Sequence, residues 1–172
     1  MSDERVETMW AGRFVTALRK GRWEYVARSR GIGAVVILGE DDGHILLVEQ
    51  MRVPIGRRCL ELPAGLVGDD DAHETIEASA IRELEEETGF TAERIERLGE
   101  FYSSPGMVSE SFTLVRAHGV RKIGEGGGVD GEDILVHLVA RGEIAAFVER
   151  KRGEGVVIDV RLLLVLGPAL IG

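Results

Sequence analysis

GDDDAHETIEASAIRELEEETGF, residues 68–90, is the stretch whose reading decides the fold. Gly89 suits the residue just past a helix C-terminus, and Asp71 followed by Glu74 has the spacing of an N-cap with its N3 partner. Together they predict a helix over about 72–88. On that helix Glu83 lies three residues before Glu86 and four before Glu87, so the three carboxylates share one arc. Ile81, Leu84 and Thr88 fall on the adjacent arc and can face a core. Like charges at this spacing repel, and the macrodipole disfavours anions at a helix C-terminus, each by a few tenths to about 1 kcal/mol. Arg82 faces Glu86 at i+4 and relieves part of this. A solvated, charge-rich surface helix would show the same pattern. A bound cation would relieve the remainder, and oxygen-only ligands suit Mg²⁺ or Mn²⁺.

The spelling separates those readings. Gly68, Glu74, Arg82, Glu83, Leu84, Glu86, Glu87, Gly89 and Phe90 match every fixed position of the Nudix box: G, five residues, E, seven residues, R-E-U-x-E-E-x-G-U, where U is bulky and apolar. The sequence therefore resembles a Nudix hydrolase. The resemblance implies Mg²⁺-dependent hydrolysis of a nucleoside diphosphate linked to another moiety, with Glu83, Glu86 and Glu87 as metal ligands and Glu86 also in the catalytic set.

Upstream, CLELPAG (59–65) resembles the segment preceding the box in the ADP-ribose and nucleotide-sugar branch, where the Ala carbonyl can ligate a metal. That role maps to Ala64. Here Gly65 is followed by eight residues before Glu74, so either the loop carries three extra residues or Gly68 takes over the first box glycine. Glu74 also has a plain task as a cap. Downstream, Pro105 lies 15 residues beyond Phe90, a spacing that resembles the proline marking the ADP-ribose pyrophosphatase subgroup. With Glu110 it makes FYSSPGMVSE the best clue to substrate class.

Composition sets wider bounds. A chain of 172 residues with 44% hydrophobic content supports about one domain with a real core. Net charge −9 argues against a surface that coats nucleic acid. Cys59 is the only cysteine, which excludes an intramolecular disulfide and reads as a small buried side chain. MSDERVETMW does not read as a signal peptide, and LLLVLGPALI near 162–171 is too short to span a bilayer. The expectation is a cytoplasmic protein with neither membrane nor nucleic-acid partners.

Residues 12–29 read as a hairpin about Lys20-Gly21. Trp23 and Tyr25 would share a strand face, either as packing or sandwiching a base. The family resemblance implies an N-terminal sheet that serves dimerisation and part of the nucleoside pocket. GIGAVVILG (31–39) and HILLVEQMR (44–52) read as buried strands joined by a turn. Arg52 ends the second, where its fork could hold a diphosphate or form a strand-end salt bridge. Arg57 and Arg58 read as a solvated turn. Strands are expected near 94–102, 111–118 and 134–140, then two helices over 141–155 and 156–171. IGEGGGVDGED (123–133) lacks the Lys-Ser/Thr of a phosphate-cradling loop. It is either a flexible surface loop or a mobile one that delivers carboxylates. The resemblance places a metal-binding carboxylate at Glu132 and the catalytic base near it, at Glu132 or Asp130.

The combined expectation is an α/β (α+β) fold: a Nudix-type α/β/α sandwich with a mixed central sheet over 31–172 and a small N-terminal β subdomain over 1–30, a candidate dimerisation element. Its function would be hydrolysis of ADP-ribose to AMP and ribose 5-phosphate, with Arg52, Trp23, Tyr25, Pro105 and Glu110 binding substrate. The alternatives are a pyrophosphatase for GDP-mannose or ADP-glucose and a non-catalytic domain that senses ADP-ribose. A homodimer is expected from the resemblance.

Overall fold

The computed structural model describes residues 5–29, 32–68, 73–129 and 131–171, without the side chains of 168–171. Three strands, β1 (Val6–Ala11), β2 (Val15–Lys20) and β3 (Trp23–Arg28), form an antiparallel sheet in that order. The β2–β3 hairpin matches the sequence reading, while β1 joins the outer edge of β2 with an irregularity between Thr8 and Trp10. Trp10 and Trp23 on this sheet, and Phe14 in the connection between β1 and β2, are exposed.

β4 (Gly33–Asp41) and β5 (His44–Arg52) meet at Asp42 and Gly43, both at positive φ (43° and 76°), as a tight type I′ hairpin requires. There follow β6 (Arg57–Glu61), β7 (Ala64–Val67), α1 (Ile76–Thr88), β8 (Phe90–Thr91), β9 (Arg94–Tyr102), β10 (Ser111–His118), β11 (Arg121–Lys122) and β12 (Leu135–Ala140). The chain closes with α2 (Ile144–Gly153), β13 (Val157–Ile158) and α3 (Leu163–Ile171). Arg57 and Arg58 thus lie on a strand, not a solvated turn, because β6 pairs along its whole length with the second half of β5.

The pairing of β4 with β5 lasts only two residue pairs, Glu40 with Ile45 and Asp41 with His44. Beyond it the strands diverge. β4 takes β10 as a parallel neighbour and β7 as an antiparallel one, while β5 takes β6 and β12. The result is a mixed sheet. Alternate residues serve its two faces, as the period of a strand dictates. Val35, Ile37 and Leu46 pack with Ala80 and Leu84 of α1. Val36, Ile45 and Leu47 pack with Ile144, Val148, Leu162 and Leu166 on the α2–α3 side. Covering on both faces explains why β4 and β5 read as continuous apolar runs.

Helix α1 starts later than its acidic flank predicts. Thr75 is the N-cap, its hydroxyl accepting from the Ala78 N–H at 3.2 Å. Asp71 lies outside the described residues, and Glu74 pairs with Arg82 instead of capping. Two capping signals sit four residues apart in the sequence, and local pattern does not choose between them. The C-terminus is as expected: Gly89 has φ 73° and its N–H donates to Glu85 O at 2.9 Å. The glycine-rich segment then docks against this helix end. The N–H groups of Gly127 and Gly128 donate to the carbonyls of Glu87 and Glu86 at 2.9 and 3.0 Å, partners those terminal carbonyls otherwise lack. A side chain at Gly126 would place Cβ 2.3 Å from the Thr88 carbonyl carbon, so glycine permits the approach. Among the described residues no helix is long and apolar enough to cross a membrane.

Candidate active site

The divergence of β4 and β5 leaves a cleft of about 620 Å³ above the C-terminal half of α1. Ala64, Glu83, Glu86, Glu87 and Glu132 line it, as do Arg52 and Glu110. Side chains more than 60 residues apart in sequence are gathered there by α1, the strand ends and the glycine-rich loop. Trp23, Tyr25 and Pro105 do not line the cleft. Trp23 is exposed at the tip of its hairpin, Tyr25 is half-buried opposite Leu18, and Pro105 sits in an exposed turn whose neighbour Ser103 does reach the cleft. Asp130 lies outside the described residues.

Arg82 is the hub of the box. Its guanidinium donates to both Glu74 oxygens (2.9 and 3.2 Å), to Glu83 (2.9 Å) and to Glu86 (3.1 Å). It holds Glu74 well below the usual carboxylate range, at about 2. Deeper in the cleft the balance reverses. Burial, helped by the charges of Glu83 and Glu61, pushes the Glu87 carboxyl up to about 8, although Ala64 N–H donates to it at 3.0 Å. Burial also raises Glu83, and Glu86 and Glu132 add to that against Arg82. Carboxylates held where ionisation is costly accept either protons or a cation. Gly65 makes room for Glu83: a Cβ there would stand 1.8 Å from its carboxyl carbon.

The opposite wall is an ion-pair network of which sequence reasoning foresaw only a salt bridge at Arg52, not its partners. Arg52 donates twice to Glu61, at 2.6 Å each, so the strand-end salt bridge is real and the arginine still lines the cleft. Arg161 reaches in from the segment after β13, donating to Glu61 at 3.0 Å and to both oxygens of Asp159 at 2.7 and 2.9 Å. Cys59, Glu61 and Asp159 bring potential ligand atoms within 4.8 Å of one another. Two guanidiniums already neutralise the carboxylates, however, and burial pushes the thiol up to about 12. The all-oxygen set around Glu83, Glu86 and Glu87 is the better place for a hard divalent cation.

At the far end, Arg28 of β3 pairs with Glu110 at 2.5 Å. The N-terminal sheet is fixed beside them by Val26, whose N–H donates to Met107 O and whose carbonyl accepts from Ser109 N–H, both at 2.9 Å. The cleft therefore carries carboxylates over α1 and guanidiniums along its walls. Acid groups outnumber basic ones among the described lining residues, so an anionic substrate enters more readily with cations.

The NUDIX domain model matches residues 28–152, and the chain belongs to the Nudix hydrolase family. It is 44% identical over 79 residues to an ADP-ribose pyrophosphatase of Bacillus subtilis (strain 168), covering 45% of this chain and 41% of the relative. It is 35% identical to a GDP-mannose pyrophosphatase of Cronobacter sakazakii (strain ATCC BAA-894), covering 80% of this chain and 72% of the relative. The fold is similar to the crystal structure of an ADP compounds hydrolase, with TM-score 0.66 and 22% identity over 84% of this chain and 80% of that one. The chain spans only about half the length of several relatives it matches, 41% of the Bacillus subtilis protein and 57% of a Nudix hydrolase of Schizosaccharomyces pombe (strain 972 / ATCC 24843).

Proposed function

We propose that this chain is a Mg²⁺-dependent pyrophosphohydrolase, with Mn²⁺ as an alternative ion, that splits ADP-ribose into AMP and ribose 5-phosphate. One observation carries the reading: the Nudix-box carboxylates and two wall arginines, Arg52 and Arg161, face a single cleft large enough for a dinucleotide-sized ligand. The donors fit the ion, being oxygen-only, crowded, and raised in proton affinity by burial at Glu83 and Glu87. Glu83, Glu86, Glu87, Glu132 and the Ala64 carbonyl would hold it. When bound, it would screen the diphosphate charge and lower the pKa of the attacking water.

The chain's own residues do the rest. Arg52, oriented by its double hydrogen bond to Glu61, binds a phosphate oxygen through its cleft-facing edge. Glu132, or Asp130 beside it, accepts the proton from water as the oxygen attacks phosphorus. Glu110 and Arg28 sit at the end suited to the nucleoside or sugar, with Trp23, Tyr25 and Pro105 outside the cleft of a single chain. Residues 1–30 would act as a subdomain that pairs two copies, in a protein of the cytoplasm. The likeness to the GDP-mannose pyrophosphatase supports nucleotide sugars as the second reading.

The test is turnover of ADP-ribose with and without Mg²⁺, followed by chromatography of AMP. Metal-dependent AMP release by the wild type, lost in Glu86→Gln, is the expected result. AMP release that ignores chelators would overturn the reading.

A further inference from the structure

Arg58 takes no part in the cleft, yet it touches the segment that carries Glu132. It stands on β6, and Asp133 precedes β12; β5 runs between those two strands. The guanidinium spans that gap. On one side it donates to Glu49 Oε1 at 2.8 Å and to the Glu49 carbonyl at 2.9 Å. On the other it donates to Asp133 Oδ2 at 3.0 Å and to the Asp133 carbonyl at 3.2 Å. Glu49 is 3% exposed and is fixed further by Lys151 at 2.9 Å and His137 at 3.0 Å. An arginine anchored on one edge in this way meets its second partner with little further loss of freedom.

Asp133 gains from such a partner. It has φ 51°, one of two non-glycine residues at positive φ among those described. An L side chain is disfavoured there. The glycine end of the loop is fixed where Gly127 and Gly128 donate to the last carbonyls of α1. Glu132 lies between these anchors. Its N–H donates to Val129 O at 3.2 Å, and its carboxylate accepts from Val129 N–H at 3.1 Å.

The geometry points to Arg58 as a positioning residue: it clamps Asp133 in its left-handed conformation and so sets where Glu132 stands in the cleft. The inference rests on the proposed role of Glu132 but makes a separate claim about the loop. Arg58 touches no part of the cleft and acts only through its neighbour.

The test uses Arg58→Ala and Asp133→Gly. Glu49 keeps Lys151 and His137 in the first, and the second removes the side chain where glycine is at ease, so both variants are expected to fold. Amide hydrogen exchange across 127–134 in metal-free protein should quicken about tenfold in Arg58→Ala and by less in Asp133→Gly, where glycine suits the left-handed backbone and the bond from Arg58 to the 133 carbonyl remains, with β5 and β6 protected as before in both. Turnover of Arg58→Ala should fall about tenfold with KM nearly unchanged, because a misplaced group affects the reacting geometry more than binding. In a Glu132→Gln background, Arg58→Ala should lower kcat no further. Unchanged exchange across 127–134 in Arg58→Ala would overturn the clamp, and so would a full additional loss of kcat in that background. Wild-type turnover by Glu132→Gln, with quickened exchange in Arg58→Ala, would overturn the role of Glu132 and leave the clamp standing.

Discussion

Replacing Gly65 by alanine perturbs the cleft with one carbon. Gly65 lies on β7 opposite Val35, and a Cβ there would meet the Glu83 carboxyl carbon at 1.8 Å, its Oε1 at 2.1 Å and its Cγ at 2.2 Å. Ordinary contact between such atoms is about 3.5 Å, so the carboxylate must retreat by about 1.7 Å. Glu83 is a flexible side chain, and its retreat costs about 1 kcal/mol in rotamer strain. Some overpacking adds up to a similar amount, so the melting temperature should fall by only a few degrees in a chain of this size, about 2–4 °C per kcal/mol. Activity should respond more strongly. A misplacement of about 1 Å in a reacting constellation can cost about a hundredfold, equivalent to about 2.7 kcal/mol of barrier. The assay pairs kcat for ADP-ribose with a thermal melt. A folded Gly65→Ala protein with kcat within about twofold of wild type would refute the role given to Glu83. Adding Gly65→Ala to Glu83→Gln should cost little more than Glu83→Gln alone, since both act on one carboxylate.

Glu87→Gln should lower turnover by orders of magnitude while circular dichroism stays native, because the amide can still accept from Ala64 N–H; full turnover would remove Glu87 from the metal set. Cys59 is buried with its thiol pushed up to about 12, so native protein at pH 8 should resist a thiol reagent that labels it promptly in denaturant. Prompt labelling in the native state would contradict the buried placement. Glu74 is held at about 2 by Arg82, against 4.5 for a free carboxyl. Its contribution to stability is therefore present above pH 4.5 and fades as pH falls toward 2. Denaturant unfolding should lose stability less steeply over that window in Glu74→Gln than in wild type, and equal slopes would detach Glu74 from Arg82.

The sequence carried the parts of the fold that local chemistry decides. The apolar runs of β4 and β5, the turn at Asp42-Gly43 and the strands either side of Pro105 all follow from patterning. So do Gly89 as the end of α1 and the arc shared by Glu83, Glu86 and Glu87. What it did not carry was long-range. The early parting of β4 and β5, which opens the cleft, depends on β7 and β6 taking over the edges that the two strands would otherwise share, with β10 on the far edge of β4. Asp159 and Arg161 look like an unremarkable pair until the chain brings them to Glu61, about 100 residues upstream. Arg28 reaches Glu110 only because the N-terminal sheet docks beside the Pro105 turn. The start of α1 departs from the sequence expectation because Asp71 and Thr75 both suit a cap, and Arg58 because two adjacent arginines carry no sign of the strand they pair with. The glycine-rich segment has a packing reason that composition could not show, since its glycines let the backbone approach the end of α1.

The measurement that bears most directly on the central claim is a competition. Purified protein with Mg²⁺ is given ADP-ribose, ADP-glucose, GDP-mannose, NADH and diadenosine polyphosphates, and kcat/KM is compared by chromatography of the products. The account predicts AMP and ribose 5-phosphate from ADP-ribose as the fastest reaction. Faster hydrolysis of GDP-mannose or ADP-glucose would contradict the substrate while keeping the cleft chemistry. Binding of ADP-ribose with no turnover of anything would contradict the enzyme itself and leave a sensing domain.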